Sequence, residues 1–276
     1  VLVQIEGSQR MTTLQYGKSE KSNNGYLLMI MQPGIEHIIN LKVKNRNEKW
    51  SNSLSQLTYT PPELPNDDKL FPKIKISQNT NDDKEHLTLF NPRRRVPRTV
   101  ENENEFNRSF GMLAIVNNLG EVLWYYRTNS RISDFNILQN GHISYITQDY
   151  RIVEIDFGGN ILNEWYASER PQGKDSTAIP VETPTFHHDV EQLPNGNRMV
   201  LSTEIREFDN YYTSEKNKNA PRKRQRVVGD VIVEFTPEGK IVHKWHAFDH
   251  MPVKRIGYET FSNYWVRRGL DAIDWS

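Results

Sequence analysis

Asp134-Phe-Asn-Ile-Leu-Gln-Asn-Gly141 and Asp189-Val-Glu-Gln-Leu-Pro-Asn-Gly196 are two versions of one phrase. In each, Leu follows Asp by four residues and Asn-Gly begins two residues later. The ends match as well. Gly159-Asn-Ile-Leu-Asn-Glu-Trp165 parallels Gly239-Lys-Ile-Val-His-Lys-Trp245, and Gly120-Glu-Val-Leu-Trp-Tyr-Tyr126 is a looser third version. Such a repeat is a supersecondary unit that buries its apolar face by stacking on its neighbours, so it commits the chain to a repeat architecture. The first copy divides into four segments, roughly 132–138, 142–148, 150–157 and 160–167, with corners at Asn140-Gly141, Gln148-Asp149 and Gly158-Gly159. Asn140-Gly141 is expected to supply the positive φ angles of a tight hairpin turn. Alternation in Arg151-Ile-Val-Glu-Ile-Asp-Phe157 marks a strand. Four antiparallel strands of this size predict one blade of a β-propeller. The Trp that closes each copy is expected to pack between blades rather than to bind a ligand.

The second copy is longer. Gly141 to Trp165 spans 24 residues, and Gly196 to Trp245 spans 49. The additional 25 fall between about Glu204 and Val228, between strands two and three, and carry Tyr211-Tyr212 and the basic run Arg222-Lys-Arg-Gln-Arg226. This insertion, 205–228, is expected to be a mobile rim loop, with the basic run as solvated surface rather than a patch that steers anions. The third version offers only two strands, roughly 111–117 and 121–127. At most two and a half blades are counted over 108–276, against four to eight in a closed ring. That predicts an incomplete propeller, truncated at its C-terminus.

Residues 1–65 read differently. Short strand candidates recur at Thr12–Gly17, Gly25–Gln32, His37–Lys44 and Ser55–Tyr59, which predicts a small β-sandwich. Pro61-Pro-Glu-Leu-Pro65 is an extended exit. Residues 66–107 form a linker with two further strand candidates, Lys73–Ser77 and His86–Phe90. The fold class is therefore all-β: an N-terminal β-sandwich followed by an incomplete β-propeller.

Composition removes several functions. The 276 residues contain no cysteine, so disulfides, thiolate metal sites and cysteine nucleophiles are excluded. Lys and Arg balance Asp and Glu at 35 each, so attraction of the whole molecule to nucleic acid or anionic membrane is not indicated. The longest apolar run, Tyr26 to Met31, suits a buried strand and is too short to span a membrane. The chain opens at Val1 without a signal-peptide pattern, so either a leader is removed or the chain begins inside a longer product.

The chemistry concentrates in Phe186-His187-His188-Asp189. Aligning the repeats sets His187 opposite Ile132 and His188 opposite Ser133, at the start of the innermost strand, whose end reaches the funnel of a propeller. Strand alternation predicts that the two rings face opposite ways. They are either hydrogen-bonded rim histidines or catalytic ones. Asp189, present in both copies, is expected to bond a turn backbone. No His-x-His or clustered carboxylate set with ligand spacing is present, so neither a metal nor another cofactor is expected. Tyr258, Phe261, Tyr264 and Trp265 either border an aryl pocket or pack a core. His250 is placed near the rim without a supporting motif.

The string His-His-Asp-x-x-x-Leu-Pro-Asn-Gly-Asn, residues 187–197, resembles the bacterial arylsulfotransferase family, whose members use aryl sulfates rather than a nucleotide sulfate donor. Asn117-Asn-Leu-Gly-Glu-Val-Leu-Trp-Tyr-Tyr126 resembles the family's first propeller strands. Leu57-Thr-Tyr-Thr-Pro-Pro-Glu-Leu-Pro65 resembles the exit from its N-terminal sandwich. Gly269-Leu-Asp-Ala-Ile-Asp-Trp275 resembles the approach to an Asp-Trp-x-His-x-Asn motif. The resemblance implies a six-bladed propeller, a periplasmic or secreted location, and sulfuryl transfer from a phenolic sulfate ester to a phenol through a sulfohistidine. It carries over one histidine of the pair, His188 in preference to His187. The histidine of the later motif, a later arginine and the sulfurylated histidine would come after Ser276, so this chain would hold only part of an active site and be inactive alone. The alternative is a non-catalytic propeller that binds a ligand or a protein.

Overall fold

The computed structural model describes residues 1–7, 11–17, 25–44, 47, 49–51, 55–67, 70–78, 86–94, 108–254, 260–261, 265–266 and 269–275. The described chain is predominantly β, with a short α-helical turn at Ala247–His250. None of its helices is long and apolar enough to cross a membrane. It divides into two compact units, Val1–Arg94 with Met112–Arg127, and Arg95–Gly111 with Thr128–Ser276.

In the first unit, β1 (Leu2–Glu6), β2 (Met11–Gln15), β3 (His37–Lys42) and β4 (Ser55–Tyr59) form an antiparallel sheet in the order β2-β1-β3-β4. Val3, Ile5 and Ile39 are its buried residues. Tyr26–Met31 departs from the sequence expectation, because it joins no ladder. Ile30 takes a φ of +70°, which breaks an extended run at a β-branched residue. Leu28 and Met31 nevertheless pack on the Val3–Ile5 cluster, so the apolar run reaches the core through its side chains. Lys73–Ser77, expected as a strand, has no ladder either. β5 (Thr88–Phe90) pairs with β6 (Gly111–Val116), and β7 (Val122–Thr128) completes a three-stranded sheet. The looser third repeat thus takes an extra strand from the residues before it.

The second unit holds both full repeats. β8 (Ile132–Ile137), β9 (Ile143–Thr147), β10 (Arg151–Ile155) and β11 (Ile161–Ala167) form the four antiparallel strands expected for the first copy. β12 (Ile179–Val181) adds a parallel fifth. β13 (His187–Gln192), β14 (Arg198–Tyr211), β15 (Lys223–Phe235) and β16 (Ile241–His246) form the second copy. One apolar core joins the two sheets, running from Ile146, Ile152 and Trp165 to Val200, Val233 and Phe235. Trp165 lies in it at 1% exposure, and its indole N–H donates to Pro237 O at 2.8 Å. Packing between the repeat sheets, not ligand binding, is its role.

Five corners share one turn: 117–120, 138–141, 156–159, 193–196 and 236–239. The fourth residue's amide bonds the first residue's carbonyl, and the first residue's amide bonds the carbonyl after the turn. Each ends on a glycine at φ +78° to +87°. This is the three-residue hairpin loop, a type I turn closed by a left-handed residue. At Asn140-Gly141 only the glycine has positive φ, which corrects the pair of positive φ angles expected there.

The insertion is not a loop. β14 and β15 continue their ladder without a register break from Arg198↔Phe235 to Phe208↔Gln225, and pair again at Tyr211↔Lys223. Most of 205–228 therefore extends the central hairpin, and the basic run is largely strand. The apolar face continues into the extension: Tyr211, Val227 and Phe248 are buried there, which gives its strands a core of their own. Trypsin should accordingly cut first at the tip, after Lys216 or Lys218, and only later after Arg224 or Arg226, because ladder-paired backbone does not fit a protease cleft. Early cleavage at Arg226 with the tip intact would restore the loop.

Candidate functional site

β13 opens with a bulge. His187 pairs with Leu201 and Val190 with Val200, so His188 and Asp189 drop out of the ladder. The first copy bulges at the same place, between Ile132 and Asp134. In the second copy, however, His188 takes a φ of +62°. Left-handed backbone at a non-glycine residue costs on the order of 1–2 kcal/mol. The bulge also cancels the expected alternation. The two imidazoles do not face opposite sides; they meet edge to face, centroids 5.1 Å apart and planes at 85°. His188 is exposed and His187 is half-buried.

His187 is held by its surroundings. Its Nε2 lies 3.2 Å from Ser202 O and 3.7 Å from Asp230 Oδ1. A carbonyl only accepts, so Nε2 carries the proton and Nδ1 keeps the lone pair of the neutral ring. Burial lowers the His187 pKa from its usual 6.5, and the neighbouring His188 adds to this, against the charges of Asp230 and Asp274 and the Ser202 carbonyl. Burial pushes the Asp230 carboxyl up, and Asp274 adds to it, against the two histidines.

Asp274 arrives from far along the chain. β17 (Ile273–Asp274) pairs in parallel with Val227 and Val228 on the extended part of β15. Trp275 fixes it: its amide donates to Val228 O at 3.1 Å, its indole N–H to Val253 O at 3.1 Å, and its ring packs on Phe248. Gly229 makes room, since a Cβ there would sit 2.4 Å from the Phe248 ring. The stretch that resembles the approach to a second histidine motif is thus laid beside the first. Asp230 was not singled out from sequence. Its signal is a carboxylate inside Val227-Val-Gly-Asp-Val-Ile-Val233, an otherwise apolar run.

Asp189 is structural in a way that differs from the turn contact expected. Asn136 Nδ2 donates to Val190 O at 2.6 Å and to Asp189 Oδ1 at 3.3 Å, tying the first strands of the two repeats together. Asp134 sits against Asp189 and Glu191. Burial, a hydrogen bond shared with Asp189 and the charges of Asp189 and Glu191 push its carboxyl up to about 6. The sign follows from linkage: a raised carboxyl contributes stability that is fully present below its unfolded pKa and is lost as pH rises through 6. Asp134→Asn should therefore stabilise the protein at pH 7.5 by on the order of 1 kcal/mol, after discounting for solvent exposure. It should do little at pH 4. Urea melts at the two pH values check this; an equal shift at both would separate Asp134 from the titration.

The remaining sequence candidates disperse. His250 stacks on Trp245, centroids 4.9 Å apart and planes at 7°. Tyr258 and Tyr264 lie outside the described residues. Phe261 lines a cavity of about 520 Å³ beside the hairpin extension. Among the described residues, no group of three or more His, Asp or Glu is arranged to hold a metal ion. No curated protein matches the chain. The model of one protein family, described as arylsulfotransferase, matches residues 73–276. That span takes in both repeats, the histidine bulge and β17, and it is most of the 276 residues; the chain belongs to the arylsulfotransferase family.

Proposed function

We propose that this protein moves a sulfuryl group from a phenolic sulfate ester to a phenol through a sulfohistidine, and that its repeat sheets are blades of a six-bladed propeller. The observation that carries the reading is the His187–His188 bulge inside the span matched by the family. A non-glycine residue held at φ +62° is the kind of local strain that collects at working sites. An imidazole nitrogen attacks sulfur, the S–O bond to the aryl group breaks, and the leaving phenolate takes a proton. The acceptor phenol then gives up its proton as its oxygen takes the sulfuryl group from nitrogen. In this reading His188 stabilises the sulfuryl oxygens or protonates the leaving group. His187, neutral and anchored on Ser202, positions it. The histidine that accepts the group lies outside residues 1–276. In this reading the protein works in the periplasm or outside the cell, which fractionation tests.

The test is acceptor-dependent release of nitrophenolate from 4-nitrophenyl sulfate by the full-length protein, with an acid-labile sulfuryl label trapped on histidine. Release without a phenol would make the activity hydrolysis. Binding of the ester without any release would favour the non-catalytic module.

A further inference from the structure

The hairpin extension borders an open cavity that the histidine bulge does not explain. Its volume is about 520 Å³, large enough for a one-ring ligand. One wall is the extended hairpin, contributing Lys223, Arg224, Arg226 and Glu207; the other is the segment that ends in β17, contributing Phe261 and Asp271 among others. The parallel pairing of Ile273 with Val227 fixes the two walls at their junction.

The charges are unevenly used. Arg224 is engaged by Glu207, and by Asp209 at 3.8 Å. Among the described residues the Arg226 guanidinium reaches a main-chain acceptor, Asp271 O at 3.4 Å. Neither Arg226 nor Lys223 has a carboxylate partner among the described residues. Among the described residues the lining holds three cations and two carboxylates, an excess of one positive charge, together with Phe261 and the aliphatic Val266, Ala272 and Ile273. A ring with an anionic substituent satisfies both halves of this lining, as neither a neutral phenol nor a small inorganic anion does.

β17 runs from the cavity to the histidine pair. Ile273 lines the cavity, and the next residue, Asp274, acts on His187. Along β15, Asp230 and Arg226 are four residues apart, roughly 13 Å at strand rise. We propose that this cavity is a binding subsite for small aromatic anions next to the histidine pair, with Arg226 reading the anion and Phe261 the ring. The substrate class rests on the sulfotransferase reading above, but binding here does not need turnover.

The test uses benzenesulfonate, which carries no transferable sulfuryl ester, with inorganic sulfate and benzyl alcohol as partial probes, titrated calorimetrically into the full-length protein. Benzenesulfonate should bind at least tenfold more tightly than either partial probe. Arg226→Gln should weaken it about tenfold, and Arg226→Lys should restore part of the loss. Lys216→Gln, at the exposed hairpin tip and outside the lining, should leave it unchanged. The arginine is exposed, so the variants should melt with the wild type and loss of fold is read separately. Sulfate binding as tightly as benzenesulfonate, or unchanged benzenesulfonate binding in Arg226→Gln, overturns the subsite. Binding as expected in a protein that shows no sulfuryl transfer would sink the enzymatic reading and leave the subsite standing.

Discussion

His188→Ala lowers the rate of sulfuryl transfer from an aryl sulfate by about 100-fold or more in the full-length enzyme, the scale for losing an oxyanion donor or a general acid. His187→Ala costs less in kcat and more in stability. The difference follows from how the two rings are held. His188 projects from a bulge, exposed, with its backbone in the left-handed region at φ +62°. His187 is spent on Ser202 and Asp230; removing it strips a partner from Ser202 O and the neighbouring imidazole from the half-buried Asp230 carboxyl. His188→Gly separates backbone from chemistry. Glycine relieves the strain at that φ, so this variant should be at least as stable as the wild type and equally impaired in turnover. Activity within a few-fold of normal for a well-folded His188→Ala would remove this residue from the site. The reverse ranking would transfer the role to His187.

Arg198→Ala unfolds the repeat unit at markedly lower urea, by about 3–5 kcal/mol. Arg198 and Glu154 join the two repeat sheets through an ion pair of 2.8 Å, each side chain 4% exposed. Burial alone would push Glu154 up. Hydrogen bonds from His142, Asn163 and Asn140 and the charge of Arg198 hold it below its usual value instead, so it stays ionised inside the protein. The guanidinium also lies over the Trp165 ring, 5.1 Å from its centroid, and donates to Gly196 O. Truncating the arginine leaves a buried carboxylate short of its charge partner and the indole without its cap. Glu154→Gln strands the guanidinium in the same way. The double variant Arg198→Met/Glu154→Leu removes both charges together and should recover most of the loss. If the double variant falls as far as the sum of the singles, the pair is not coupled and the stability lies in each side chain's packing.

The all-β character and the four strands of the first repeat were legible because period-two alternation and glycine corners are local signals. Residues 151–157 alternate, and Gly141 and Gly159 stand where the chain must turn left-handed. Three features were not legible, each because a non-local term decides them. Tyr26–Met31 has the composition of a strand, but side-chain docking on Val3 and Ile5 fixes its place without a ladder. The insertion looked like a loop because its charged residues hide the face carried by Tyr211 and Val227, which is recognisable only once Phe248 and Trp275 pack against it. At the site, the sequence marked His187 and His188 as a motif but could not show the bulge that turns them toward each other. Nor could it bring Asp274 to them, since that needs pairing with residues 46 positions earlier, Val228↔Asp274.

The continuous register of β14 and β15 makes length an evolvable quantity here. Adding one residue to each arm beyond Phe208↔Gln225 preserves every pairing below it, so the buried face of the sheet never notices the change. Adding a residue to one arm alone would swap inward and outward faces down the whole hairpin. The break between Phe208 and Tyr211, with Asn210 at φ +56°, is where such an imbalance is absorbed. In the first repeat the same corner is tight, closed by Tyr150 at φ +63° in the place where the other corners use glycine. Relatives of this protein can therefore differ in hairpin length by whole residue pairs, and gain or lose the surface beside β17, without any substitution in the core that holds the two repeats together.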